Sequence, residues 1–173
     1  MSEEKNNNLE IKRHSMSHLL AAAVGELWPG VKFAIGPAIE NGFYYDFDFG
    51  EEKIKEEDLK KIEKKMKHLI KQNLEFKQSE LGVEEAIKKE KEAGQNYKVE
   101  LLEELKKEGE KKASYYQSGD FSDLCSGPHI EATKELDPKA FKLTGLAGAY
   151  WRGDENNPML TRIYGVAFDS AEE

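Results

Sequence analysis

His14 and His18 lie four residues apart near the start of the chain, and Cys125 and His129 lie four apart near its end. The whole chain has only four histidines and one cysteine, so these two clusters hold three of the histidines and the lone thiol. On a helix, residues four apart stack on one face, so His14 and His18 can address a common centre. Cys125-Ser126-Gly127-Pro128-His129 reads as a tight turn between two strand-like pieces, which can bring its ends together. Three imidazoles and a thiolate make a plausible tetrahedral zinc set. Two metal-free readings stand beside it. Cys125 could be a nucleophile activated by a histidine, or a histidine could act as general base for water. Asp123 precedes Cys125 by two residues, which in an extended segment places both on one face. It could orient a histidine or a substrate amine. The pattern is not the HExxH of metalloproteases, because Ser15 follows His14 and supplies no glutamate base.

The elements that must carry these residues fall into three blocks, without internal repeats. Ile11 to Trp28 is predicted as an amphipathic helix with Leu19, Leu20, Ala23, Val24 and Leu27 on its apolar side, stopped by Pro29-Gly30. VKFAIGPAIE and GFYYDFDFG follow as strands joined at Asn41-Gly42. In the second, Phe43, Tyr45, Phe47 and Phe49 share one face. Residues 51–112 form a helical, Lys/Glu-rich portion. Leu59, Ile62, Met66, Leu69 and Ile70 recur at helical spacing, LEFKQSEL could be a strand, and Val83–Ala93 and Tyr97–Lys107 read as further helices. His68 lies beside the apolar stripe and reads as structural or exposed. In 113–170, ASYYQSG, FSDLCSGPHIEA, FKLTGLAGAYWRG and LTRIYGVAF read as strands broken by glycine and proline. Gly145, Gly148 and Gly153 fit neither a dinucleotide fingerprint nor a P-loop.

With 173 residues, the chain is long enough for one domain with a sizeable core. No run approaches the roughly 20 apolar residues of a membrane span, and the polar first ten residues read as a tail without a secretory h-region. One cysteine cannot form an internal disulfide, which suits a reducing, cytoplasmic setting. The net charge of −8 argues against general nucleic-acid binding. Residues 51–112 are neutral, with 17 acids and 17 bases; elsewhere 17 acids face 9 bases, and Glu3, Glu4, Glu172 and Glu173 stand at the ends. The three arginines, Arg13, Arg152 and Arg162, all lie outside that stretch, where their forked donors are candidates for phosphate contacts. The bland reading is three surface arginines.

RHSMSHLL, LWPGVKFAIGPAIENGFYYDF, YKVELL, DLCSGPH and GAYWRGDENNPMLTRIYG closely resemble the editing domain of bacterial threonyl-tRNA synthetases. This domain is shared more distantly with alanyl-tRNA synthetases and freestanding alanyl-tRNA editing proteins. The resemblance covers about residues 11–168. It implies an α+β fold over 11–170: a β-sheet core, a helix bearing the HxxxH, and further helices packed outside. It implies hydrolysis of the ester joining serine to the terminal adenosine of tRNA(Thr). A missing methyl is worth only about 1–3 kcal/mol of discrimination, so a second sieve is needed.

The family's positions fall on His14, His18, Tyr45, Lys98, Asp123, Cys125 and His129. By resemblance, His14 with Lys98 would activate the attacking water, and Lys98 could stabilise an oxyanion. Tyr45, Asp123 and Cys125 would shape the amino-acid pocket, with Asp123 drawing the substrate ammonium. His18 and His129 would hold the terminal adenosine or the pocket wall. Without the resemblance, Lys98 would read as one more surface lysine. By the same resemblance, the corresponding four side chains bind zinc in the alanyl branch, whereas the threonyl branch hydrolyses without it; the threonyl-like motifs here imply a site that requires no cofactor, with zinc possible. The implied partners are the serine-charged acceptor end of tRNA(Thr) and a synthetase catalytic core in cis or in trans, with neither membrane nor DNA. The small domain usual before the HxxxH helix, the aminoacylation core and the anticodon-reading portion are not in these residues. The chain is therefore expected not to charge tRNA, and to bind it weakly and salt-dependently. Two other expectations remain: a non-catalytic acceptor-end binding module, or a structural zinc domain.

Overall fold

The computed structural model describes residues 2–125 and 128–168, with side chains from Asn8 onward. Ser126-Gly127 in the Cys–His turn, the last two residues of the expected 11–170 domain, and Glu172 and Glu173 lie outside the described residues.

The first helix, α1, runs Ser2–Leu27. It begins well before Ile11, so the backbone of residues 2–10, within the segment read as a polar tail, is helical. No glycine or proline interrupts it before Gly25. Nor is it a one-sided amphipathic helix at its centre. Every residue from Ser15 to Val24 is buried, including Ser15, Ser17 and His18. A helix buried on all sides belongs inside a domain, and Ala21, Ala22 and Ala23 let its neighbours come close.

Five strands lie against α1. They are β1 (Lys32–Phe33), β2 (Ala38–Ile39), β3 (Gly42–Asp48), β7 (Phe141–Tyr150) and β8 (Met159–Ala167). The order is β1-β3-β8-β7, all antiparallel, with β2 also paired to β3. Phe43, Tyr45 and Phe47 point into the core as their alternation predicts. The turn before β3 differs from expectation by one residue. Ile39 pairs with Gly42, so Glu40-Asn41 forms the loop, with Asn41 in the left-handed region at φ 63°. Gly42 is instead a strand residue pressed on β8. Helix α2 (Glu56–Lys71) buries Leu59, Ile62, Met66, Leu69 and Ile70 against α1, and His68 is exposed.

A second sheet holds β4 (Lys77–Gly82), β5 (Lys112–Ser118) and β6 (Phe121–Leu124) in that order. Helices α3 (Val83–Glu92) and α4 (Asn96–Lys107) pack on it through Val83, Ala86, Leu102, Ala113 and Tyr115. Side chains at the start of α4 tie this unit to the first sheet. Gln95 accepts from Phe33 N–H at 2.8 Å and donates to Val31 C=O at 3.2 Å. Tyr97 donates to Asp48 at 2.7 Å. Trp151, in a 3₁₀ turn after β7, donates to Glu100 at 2.6 Å, and Arg152 pairs with Glu104 at 2.9 Å.

The strand expected over 121–132 ends at Leu124. Pro128 has no N–H for a ladder, and the chain beyond it is held by Phe76 N–H donating to Glu131 and Thr133 N–H donating to Leu74. Likewise, the strand expected through Gly153 stops at Tyr150, where Arg152 takes φ 59°.

Pairing of β3 with β8 depends on two side-chain-free positions. A Cβ on Gly42 would lie 2.0 Å from the Gly165 carbonyl oxygen, and one on Gly165 would lie 2.4 Å from the fully buried Phe43 ring. Overpacking of this kind costs about 1–3 kcal/mol. Gly165→Ala is therefore expected to lower Tm by about 5 °C or more in thermal unfolding, and Gly82→Ala, which meets open space, is the control.

Candidate functional site

Side chains from both sheets and two helices converge on one cavity of about 240 Å³. Helix α1 supplies His14 and His18, β3 supplies Tyr45, α4 supplies Lys98, and β6 with the residues after it supplies Asp123, Cys125 and His129. All seven positions singled out in the sequence line this cavity.

Its floor is charged. Lys98 Nζ lies 2.8 Å from Asp123 Oδ1, and Tyr45 donates to Asp123 Oδ2 at 2.7 Å. Both members of the pair are nearly sequestered, Lys98 at 4% exposure and Asp123 at 7%. Lys98 is thus no surface lysine. Its ammonium sits 5.5 Å above the Tyr45 ring centroid, an added cation–π contact. Burial, then the neighbouring Asp123 charge, raises the Tyr45 pKa, so its hydroxyl remains a donor.

The rim is made of imidazoles and a thiol. Cys125 Sγ lies 3.4 Å from His14 Nε2 and 3.3 Å from His129 Nε2. The His14 and His129 rings are 4.5 Å apart. Burial lowers the pKa of His14, opposed by a hydrogen bond to the Pro128 backbone and by the Asp123 charge. Burial pushes His18 down to about 4. His129 falls to about 2, through burial and then the charges of His14 and His18. All three are therefore neutral bases at pH 7.

The expected four-ligand metal set becomes three among the described residues. Donor atoms of His14, Cys125 and His129 all lie within 4.8 Å of one another. Their sulfur–nitrogen spacings are close to those of donors about 2.0–2.3 Å from a shared zinc ion. His18 is not in the set. One helical turn further along α1, its ring is held between Phe76 and Phe121, each 5.0 Å away between centroids. Neither of its ring nitrogens has a hydrogen-bond partner among the described residues.

None of the three arginines lines this cavity. Arg162 forks onto Asp46 at 2.8 and 3.1 Å and covers the Tyr44 ring at 4.0 Å. Arg152 pairs with Glu104. Arg13 donates to the Ala167 carbonyl at 2.8 Å.

Sequence reasoning passed over the residues that pin the cavity walls. Ser17 Oγ reaches the carbonyls of His14 and Gly36 at 2.6 and 2.7 Å. Asp46 N–H donates to Ile35 at 2.9 Å. Ile35, Gly36 and Pro37 thereby line the cavity, as do Leu101 and Leu124. Gly36 is required there, because a Cβ would lie 2.2 Å from the Tyr45 ring. The available signal was the two small polar residues, Ser15 and Ser17, set between the histidines just before the apolar run Leu19–Val24.

The geometry coincides with the results of comparison. The threonyl and alanyl tRNA synthetase second additional domain matches residues 114–164, which include Asp123, Cys125 and His129. The threonine–tRNA ligase of Citrifermentans bemidjiense is 53% identical over 173 residues, 100% of this chain and 26% of that protein. That of Clostridium novyi is 55% identical over 161 residues, 93% of this chain and 24% of that protein. That of Clostridium tetani is 57% identical over 156 residues, 90% and 24% respectively. The chain spans about a quarter of the length of the curated relatives it matches. With the α+β architecture and the histidine–cysteine cavity, these matches support a threonyl-tRNA synthetase editing-domain region, of which residues 114–164 match the threonyl and alanyl tRNA synthetase second additional domain.

Proposed function

We propose that this chain hydrolyses the ester linking serine to the terminal adenosine of mischarged tRNA(Thr), as the proofreading part of a threonyl-tRNA synthetase. The observation that carries the reading is the meeting, in one small cavity, of a neutral His14 with the buried Lys98–Asp123–Tyr45 group. An ester hydrolase needs a base for water and a fixed positive donor for the oxyanion. His14 is the base. Lys98 spends one N–H on Asp123 and has two further donors for the developing oxyanion. Each Asp123 oxygen accepts one hydrogen bond already and has a second lone pair for the serine ammonium. Tyr45 and Cys125 bound the amino-acid pocket, and His18 and His129 form its inner wall. Of the arginines, Arg13 shares α1 with the histidines and is the candidate RNA contact. Partners in this reading are the acceptor end of tRNA(Thr) and a synthetase core, in the cytoplasm. Among the described residues no helix is long and apolar enough to cross a membrane.

His14, Cys125 and His129 would hold zinc if it is bound. Its chemistry there would be Lewis-acid polarisation or a bound water of lowered pKa.

The test is side-by-side deacylation of seryl- and threonyl-tRNA(Thr) by this chain. Rapid loss of serine with threonine spared is expected, and His14→Ala should slow it by about 100-fold or more. Binding of tRNA without loss of either amino acid would instead identify an acceptor-end binding module.

Removing one partner of a buried pair leaves an uncompensated charge, which costs about 3–5 kcal/mol. Lys98→Met is expected to destabilise by about this much in urea unfolding. Adding Asp123→Asn should recover most of the stability without restoring hydrolysis. Such a result separates the chemical role from the structural one.

Acid should act in two ways. As a base with a lowered pKa, His14 gives hydrolysis an acid limb whose midpoint lies below 6.5. His18 remains neutral in the folded chain down to about pH 4, whereas unfolded histidine protonates near about 6.5. Between these values the unfolded state binds more protons, so stability rises with pH. The contribution is complete above about pH 6.5 and falls away towards pH 4, by about 3 kcal/mol for His18. His14 and His129, also lowered, add to the same loss. Urea midpoints across pH 4–8 should show it, and His18→Phe should make the slope shallower by the His18 share.

A further inference from the structure

Ser15 follows His14 in sequence and is completely buried, 0% exposed. Its hydroxyl has three neighbours. It donates to the Ile11 carbonyl at 2.9 Å, one helical turn back. It accepts from the backbone N–H of Ile130 at 3.0 Å, and it lies 3.1 Å from His129 Nδ1.

A hydroxyl has one proton and two lone pairs. The proton goes to Ile11, and Ile130 occupies one lone pair. The third contact is complete only if the His129 ring donates it, with its proton on Nδ1. His129 Nε2 then carries a lone pair, 3.3 Å from Cys125 Sγ. The ring has little freedom to escape this arrangement. Tyr116 packs on it edge-on at 4.5 Å and Phe76 at 5.2 Å.

We infer that Ser15 is a positioning residue of the cavity: it fixes His129 as the Nδ1–H tautomer and so presents an unprotonated Nε2 to the Cys125 thiol and to whatever occupies the cavity. The same hydroxyl anchors the chain after the Cys–His turn to α1 through Ile130, so one side chain sets both the place of His129 and its proton. An outer donor–acceptor partner of this kind serves a metal-bound imidazole and a metal-free one alike. The consequence for turnover rests on the editing reading; the tautomer assignment does not.

The test uses the full chain with ¹⁵N-labelled histidine. Long-range proton–nitrogen correlations at pH 7 identify the protonated ring nitrogen of His129, assigned by loss of its signals in His129→Gln. The expected result is Nδ1–H in the unaltered chain, with Ser15→Thr retaining it and Ser15→Ala shifting the ring towards Nε2–H. An Nε2–H ring in the unaltered chain overturns the inference, whether or not any variant folds. In seryl-tRNA(Thr) deacylation, Ser15→Ala is expected to lower kcat by about 10-fold or more, and Ser15→Thr to restore it. An unchanged kcat in Ser15→Ala, alongside an inactive His14→Ala, overturns the positioning role. If the unaltered chain hydrolyses neither ester, the editing reading fails, and the nitrogen spectra still decide the role of Ser15.

Discussion

The Lys98–Asp123 ion pair is the constraint around which the two halves of the molecule are arranged. Taking an ammonium and a carboxylate out of water costs several kcal/mol each, and their attraction offsets this only with good geometry and further hydrogen bonds. The chain meets that condition with elements from both halves. β6 brings Asp123, α4 brings Lys98, and β3 brings the Tyr45 hydroxyl to the second carboxylate oxygen. A shift of the unit carrying α4 and β6 against the first sheet would take the Tyr45 hydroxyl away from the buried carboxylate. The ties at Gln95, Tyr97, Trp151 and Arg152 are therefore more than local decoration. They hold α4, and with it the Lys98–Asp123 pair, in register with Tyr45 on the first sheet.

That constraint explains why the histidines are bases. The ion pair is internally balanced, so the cavity has little net charge to stabilise an imidazolium. Burial then dominates, and His14, His18 and His129 are all driven towards the neutral form, with the Asp123 charge opposing in part at His14 and His18. Neutral imidazoles beside a fixed ammonium are a consistent set for ester hydrolysis. One group takes a proton from water, while another, already charged, meets the oxyanion without needing to gain a proton at the moment of reaction.

Much of this was legible in the sequence, but unevenly. The α2 stripe Leu59–Ile62–Met66–Leu69–Ile70 and the alternation Phe43–Tyr45–Phe47 each report a single-sided burial, and periodicity reads that directly. The His14–His18 and Cys125–His129 spacings also report themselves, because each pair is local. Periodicity could not reveal that α1 is buried on all sides, since Ser15, Ser17 and His18 look like a polar face. It could not separate His18 from the other metal-competent donors either. That depends on Phe76 and Phe121, from distant parts of the chain. Lys98 is the extreme case. Nothing local distinguishes it from the lysines around it, and only its distant partner Asp123 makes burial possible.

The polar residues of α1 show how the helix reconciles burial with chemistry. A buried polar group without a partner is costly, yet α1 carries three buried ones, Ser15, Ser17 and His18, beside the half-buried His14. The two serines turn towards backbone: Ser17 to the carbonyls of His14 and Gly36, Ser15 to Ile11 and Ile130. In doing so they fasten the two segments that wall the cavity, 35–37 and 128–130, to the helix that carries the histidines. The remaining capacity of Ser15 falls to His129. Of the buried polar residues of α1, His18 is the one without a hydrogen-bond partner among the described residues, with both nitrogens buried beside the cavity. A polar group left in that state is a cost that filling the cavity with a hydrogen-bonding ligand would relieve. A ligand group that hydrogen-bonds to His18 would therefore gain affinity from a cost that the fold carries for positioning its histidines.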